Sequence, residues 1–458
     1  MTSLYKWPSD KKLILYYTNW SVYARNFQVK DIPIDHVTDI NYAFYDLRPN
    51  QKGNFIPTTG DAWADTDQRY TTAEKGTEPL DTWNDDNMGI YGNFGQFKKL
   101  KDAGKKFNLG LSVGGWSWSG NFSPSVSTAD ARRDFVNEII AIFKKYPFFN
   151  RVDFDWEYIS PDNKSYGLPG NKTSPDDSKN FAELLKLMRS SLNENGMKNY
   201  EISACTTADP VKMQALPIKE MVMYLDTINI MTYDFADGAW GAGKTTHSTN
   251  TYKTDYTPFS VDTAVKEFVR LGVPKNKIVI GVAYYSRGFS ACGGLNKDYV
   301  GGSSDKSWEQ GIVDYKSLPL PGAIEFYDEK AGAGYSYDAD KKILNSYDTV
   351  ASVKEKCSYV KKNGLKGIIV WEASGDHPIS SDRCLTKAIY NELRNIPPNI
   401  PLPPTPVVTP PAKPPTPVVT VPLVNVPDIN SKCPYLAGKI KSISISGDVE
   451  LSNINFNY

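Results

Sequence analysis

The stretch "FNRVDFDWEYIS" (149–160) sets Asp153, Asp155 and Glu157 at alternate positions, with Val152, Phe154 and Trp156 between them. Strict alternation marks a β-strand, whose side chains leave opposite faces with period two. One face is acidic and the other is large and apolar. Solvated acids on a half-exposed strand would produce the same pattern, so the neighbouring segments decide. Residues 1–395 alternate strand-like and helix-like runs. The strand candidates are 12–20, 37–45, 106–116, 151–158, 200–207, 225–235, 277–285 and 366–374, eight in all. Between them lie amphipathic segments. In "STADARRDFVNEIIAIFKKY" (127–146), Phe135, Val136, Ile139, Ile140 and Phe143 share one helical face, and Ser127 or Thr128 can cap its start. "SVDTAVKEFVRLG" (260–272) ends in Gly272, a natural helix stop. Eight strands alternating with helices predict an α/β fold, a parallel sheet closed into a (β/α)8 TIM barrel. In such a barrel Val152, Phe154 and Trp156 pack under the helices and the three carboxylates point inward.

Three carboxylates along ~13 Å of one strand cannot all ionise freely in a restricted site. Like charges and desolvation raise at least one pKa and couple the titrations. A shared proton is the expected outcome, with the outermost group, Glu157, nearest to substrate. Such a cluster suits Mg²⁺ or Ca²⁺, and D-x-D also occurs in phosphoryl-transfer enzymes. Against both, no Gly-rich phosphate loop is visible and the D-x-D is followed by Trp-Glu. His36, His247 and His377 are the only histidines, and none sits in an HExxH or GxSxG setting. Glycoside hydrolysis needs a carboxylic acid for the leaving oxygen and a nucleophile for the anomeric carbon. Asp155 and Glu157 leave one strand and approach a sugar from about the same side. A group on the substrate, such as a 2-acetamido oxygen, would then supply the nucleophile.

Two intervals are too long to be simple connections. Residues 46–93 carry Trp63, Tyr70, Trp83 and Tyr91, and residues 288–347 read as a small α+β insertion between strands seven and eight. Both follow a strand's C-terminal end, the face where barrel active sites are built, and their aromatic content predicts a functional role. Proline density over 396–427 predicts an extended linker. The tail 428–458 alternates like a hairpin around Gly447 and Asp448. It is too short to bury a core alone, and reads as a docking hairpin for an unknown protein partner or the start of a further module.

Composition narrows the partners. The 458 residues hold 52 Lys plus Arg and 52 Asp plus Glu, a formal charge of zero, which gives no electrostatic argument for nucleic acid or an anionic membrane. The 28 Tyr, 19 Phe and 10 Trp serve first as core, and their faces also stack on the apolar faces of sugars. Five scattered cysteines without C-x-x-C spacing argue against a zinc knuckle or a disulfide scaffold. No apolar run approaches the ~20 residues of a membrane span. "LILYY" (13–17) is too short for a signal-peptide core and reads as the first strand.

The acidic strand "NRVDFDWE" resembles the D-x-x-D-x-D-x-E signature of family 18 glycoside hydrolases, the chitinases and their relatives. "SVGGW" (112–116) is similar to their S-x-G-G strand, "MTYDF" (231–235) to their M-x-Y-D strand and "YYSRGF" (284–289) to their seventh strand. "YDEKAGAGYSY" and "SYDTVASVKEK" resemble the insertion subdomain and its exit, and Trp371 falls at the eighth-strand tryptophan. The resemblance runs in order over about residues 12–392. It implies a (β/α)8 barrel with an insertion subdomain. The implied activity is retaining, substrate-assisted cleavage of β-1,4 N-acetylglucosamine polymers, with chitin or chitooligosaccharides as ligands and no cofactor or metal. By resemblance Glu157 is the general acid and later the base. Asp155 turns between Asp153 and the acetamido nitrogen, and Tyr233 and Asp234 position the acetamido group. Ser112 and Tyr16 support Asp153. Trp371 floors the central sugar site, with Trp116, Trp240, Tyr285 and Arg287 lining neighbouring subsites. Trp116, Tyr16 and Tyr285 also fit ordinary barrel core.

One departure stands out: the signature's first aspartate is Asn150, and Arg151 occupies a position where many members have glycine. Asn150 is expected to act structurally or to modify the acid chain modestly. Other functions on the same barrel are an inactive chitin-binding lectin, which usually lacks the acid, and an endo-acting N-glycan hydrolase, which the insertion at 288–347 argues against. A polymer substrate implies an extracellular place of action, reached after removal of a leader or by another export route, as in toxin-associated chitinases of similar outline.

Overall fold

The computed structural model describes residues 4–70, 81–82, 89–160, 162, 164 and 166–394. The proposed linker at 396–427 and the tail at 428–458 lie outside the described residues, as does Trp83. Eight parallel strands form the barrel: β1 (Lys12–Thr18), β2 (Asp39–Pro49), β3 (Asn108–Gly114), β4 (Arg151–Asp155), β5 (Glu201–Thr207), β6 (Thr227–Met231), β7 (Ile278–Ala283) and β8 (Gly367–Trp371). Each pairs with its sequence neighbour, and β1 pairs with both β2 and β8, which closes the sheet. All eight correspond to strands expected from the sequence. β4 stops at Asp155 because its ladder ends there: the Asp155 carbonyl accepts from Gly115 N (2.8 Å), and the chain then turns.

The apolar halves of the strands face the helices. Val152 and Phe154 are fully buried, and Trp156 stacks on Phe122 (5.0 Å between centroids) and meets Phe181 edge-on. The helix Ala129–Lys145 is capped by Thr128, whose hydroxyl accepts from Ala131 N, and it buries Phe135, Val136, Ile139, Ile140 and Phe143. Ser260 caps Val261–Arg270 in the same way, and Gly272 follows at φ +100°. Inside the barrel a separate apolar cluster joins Ile14, Tyr16, Phe44, Cys205, Met231, Val279 and Ile369.

The insertion between β7 and β8 is an antiparallel sheet that includes Tyr285–Ser290, Ile324–Asp328, Ala333–Asp338 and Ile343–Tyr347, with a 3-10 turn at Tyr315–Ser317 as its helical part. Residues 46–93 behave differently from expectation. Phe55–Thr59 folds back on β2 as a hairpin, Tyr70 is buried with Val22 and Ala64, and Tyr91 lies under the Arg69 guanidinium (3.8 Å). Neither these tyrosines nor exposed Trp63 line the groove described below. Tyr70 and Tyr91 serve local packing. Cys205, Cys292, Cys357 and Cys384 are buried free thiols. Among the described residues no helix is long and apolar enough to cross a membrane.

Candidate active site

Parallel register decides what stands beside each acid of β4. Ser112 of β3 and Ser203 of β5 flank Asp153, and Gly114 and Cys205 flank Asp155 one level higher. Asp153 is fully buried. Its Oδ2 accepts from the Tyr16 hydroxyl (2.5 Å) and Ser112 Oγ (2.8 Å), and its Oδ1 from Ser203 Oγ (2.5 Å) and Asn229 Nδ2 (3.3 Å). Two donors on each oxygen use the four acceptor positions of a carboxylate. Tyr16 and Ser112 were legible in the sequence. Ser203 and Asn229 were missed, although inward parity on β5 and β6 points to both.

Asp155 lies in a different environment. It is buried, and its Oδ1 has no hydrogen-bond partner. Burial first, then the charges of Glu157 and Asp153, push its carboxyl well above the usual range. Glu157 sits just past the strand end and is pinned by its backbone. Its N–H donates to Ser119 Oγ (2.9 Å) and its carbonyl accepts from Asn171 Nδ2 (3.1 Å). Gly167 is packed so closely that an added Cβ would fall 2.0 Å from that carbonyl. Burial raises the Glu157 carboxyl to about 7; a hydrogen bond with Tyr158 and the Lys212 ammonium oppose the rise, and Asp234 adds to it. Burial therefore shifts both carboxyls toward the protonated form.

Asp234 follows β6 with a left-handed φ of +56°. Its Oδ1 accepts from the Tyr285 hydroxyl (2.8 Å) and Arg287 Nε (2.7 Å), and Arg287 Nη1 also donates to Asp237 (2.8 Å). Tyr233 lies over Gly281, where a Cβ would come within 2.7 Å of its ring. Trp371, at the end of β8, stacks on Phe44 (5.5 Å, 21°) and touches Tyr16 and Trp20. A groove of about 940 Å³ gathers these side chains with Trp116 and Trp240. Both tryptophans are strongly exposed, 48% and 66%, which excludes a barrel-core role for Trp116. Tyr16 is buried and Tyr285 half-buried, and each spends its hydroxyl on an acid of the site.

The groove also contains residues that sequence reading did not single out. Arg25 lies over the Trp308 ring (4.7 Å), and Trp308 Nε1 donates to Asp314 (3.0 Å). Trp20, Tyr158 and Lys212 also line the groove, the last two acting on Glu157. Asn150 stands apart. Its Oδ1 accepts from Leu109 N (3.0 Å) and its Nδ2 donates to Asn108 (3.2 Å), so it ties β4 to β3 and is not in line with the acids. Among the described residues no group of three or more His, Cys, Asp or Glu side chains is arranged to hold a metal ion.

A closed eight-stranded barrel with an acidic fourth strand and an aromatic groove fits the comparison with known families. The profile of "Glycosyl hydrolases family 18" matches residues 12–376. The chain belongs to family 18 of the glycosyl hydrolases. Endochitinase 1 of Metarhizium robertsii is 36% identical to this family-18 hydrolase over 371 residues, 79% of the chain and 81% of the relative. Chitinase 1 of Aphanocladium album is 36% identical over 369 residues, 79% and 80% of the two chains. Among solved structures, the catalytic domain of a psychrophilic chitinase B from Arthrobacter superposes with a TM-score of 0.75 at 28% identity, covering 84% of this chain and 96% of that one. A Bacillus thuringiensis chitinase gives 0.73 at 31%, covering 84% and 69%.

Proposed function

We propose that this family-18 hydrolase cleaves β-1,4-linked N-acetylglucosamine polymers with retention, using the substrate's own acetamido oxygen as nucleophile. The observation that carries the reading is the pair above Asp153: a buried Glu157 on the groove wall and, two residues before it, a buried Asp155 whose Oδ1 has no hydrogen-bond partner. Glu157 gives its proton to the glycosidic oxygen as that bond breaks. The acetamido carbonyl oxygen of the same sugar attacks the anomeric carbon and closes an oxazolinium ring. Asp155 Oδ1 takes the acetamido N–H and holds the group in line, while Tyr233 and Asp234 fix its other side. Glu157, now a carboxylate, removes a proton from water, which opens the ring at the anomeric carbon with net retention. Trp371 supports the reacting sugar from below, and Trp116, Trp240, Tyr285 and Arg287 hold its neighbours along the groove. The extracellular occurrence of such polymers supports an action outside the cell.

The names of the two fungal relatives and the aromatic walls of the groove support chitin and chitooligosaccharides as substrate. The test is release of a fluorogenic aglycone from chitobiose and chitotriose glycosides. The native chain should release it, and Glu157→Gln should lose the rate about 10²- to 10⁴-fold while still binding oligosaccharide. Binding without cleavage by the native chain identifies a lectin. Cleavage of high-mannose glycans with no action on chitin identifies an N-glycan hydrolase.

A further inference from the structure

The line of inward residues on β4 does not begin at Asp153. Arg151, one step lower on the same face and about 7 Å away by strand rise, is completely buried. Its Nη1 lies 3.3 Å from Asp39 Oδ1 and its Nη2 3.0 Å from Glu201 Oε2. Lys12 Nζ bridges the same two carboxylates at 2.8 Å each. Asn41 Oδ1 accepts from Arg151 Nη1 (3.3 Å), and Asn108 Nδ2 donates to Asp39 (3.1 Å). Register puts Gly110 and Glu201 beside Arg151. The glycine is required, because a Cβ there would fall 2.8 Å from Arg151 Cδ and 2.7 Å from Asn41 Oδ1. Two cations and two anions make this layer formally neutral.

A buried ion cluster is no help to stability compared with a well-packed apolar layer, and breaking one is costly. Its position suggests a use. Burial works against the Arg151 charge, but Asp39, Glu201 and Asp153 outweigh it and hold the guanidinium above the usual arginine range. The groups facing Arg151 are Lys12 and Tyr16 from β1, Asp39 from β2, Glu201 from β5 and Asp153 from its own strand. Those facing the acids above are Tyr16, Cys205, Tyr158, Lys212, Tyr233 and Asp234.

We infer that Arg151 is a positioning residue for the reaction: its guanidinium, fixed in the ion-paired layer beneath Asp153, sets the charge under the acid column and with it the pH range of activity. The inference rests on the acid/base reading of Glu157. Without the guanidinium, Lys12 is the one direct ion-pair partner left to Asp39 and Glu201, with Lys101 acting on Asp39 from farther off, and the four-residue layer carries one net negative charge. Like charge below a set of carboxyls strengthens their hold on protons. Removing a carboxylate from the layer leaves one net positive charge and weakens it.

The test is the pH profile of kcat/KM on a fluorogenic chitotriose glycoside for three variants of the full chain. Arg151→Met should move both limbs up by about half a unit to one unit and lower kcat more than it raises KM. Glu201→Gln should move them down by a similar amount, and Arg151→Lys should stay near the native profile. If Arg151→Met does not fold, the other two variants decide. Profiles that coincide with the native one, or that move in the same direction for Arg151→Met and Glu201→Gln, overturn the inference and leave Arg151 a packing residue. Failure of the underlying reading shows elsewhere, as full activity in Glu157→Gln.

Discussion

The lower and upper halves of the barrel interior are built from the same kind of residue under opposite rules. Below, Asp39 and Glu201 are each met by Lys12 and Arg151, so every acid has a cation within 3.3 Å. Above, Asp153 has four neutral donors and no cation among its hydrogen-bond partners, and Asp155 leaves an oxygen without any. Burial is comparable in both places. What differs is the company of the acids: cations sit against the lower pair, whereas burial pushes the carboxyls of Asp155 and Glu157 above the usual range. The lower half holds a fixed charge pattern, and the upper half holds a proton that can be given away.

The largest effect expected from breaking this contrast is at Glu157. Glu157→Gln keeps shape and removes the transferable proton, so kcat should fall about 10²- to 10⁴-fold with oligosaccharide affinity preserved. Lys356 offers a control for buried charge without chemistry. It pairs with Asp348 at 2.7 Å behind β7, both side chains fully buried and neither lining the groove. Lys356→Met should cost about 3–5 kcal/mol of stability in urea denaturation while leaving kcat per folded molecule unchanged. Tyr16→Phe removes one of the four donors to Asp153 and should lower kcat about tenfold, the size of a lost hydrogen bond to a charged group, with little change in KM. The smallest effect belongs to the exposed rim. Trp240→Ala should raise KM a few-fold through lost aromatic stacking, with kcat and Tm nearly unchanged.

Much of the frame was legible because each strand's apolar alternation survives in the sequence, and because three acids on one strand face have few structural uses. What escaped was set by register and long-range approach. Ser203 and Asn229 become ligands of Asp153 only when β5 and β6 slide into their parallel places. The Arg25–Trp308 contact joins residues more than 280 positions apart. Asn150 drew attention as a missing acid, yet its parity puts it with Val152 and not with Asp153, so the lost charge was never on the inward line. Arg151 was the neighbour that mattered, and its meaning depends on Gly110 making room across the strand pair. The aromatics of 46–93 promised a binding surface by composition; Tyr70 and Tyr91 are consumed in local packing, which composition cannot distinguish from a groove wall.

The central claim is that burial outweighs the Tyr158 hydrogen bond and the Lys212 ammonium and raises the Glu157 carboxyl to about 7. The pH dependence of kcat/KM on a chitotriose glycoside measures this directly. Glu157 must be protonated to act as the acid, so activity should persist as pH rises past the ordinary glutamate value of 4.5 and fall only around the raised value of about 7. A descending limb near 4.5 would contradict the account.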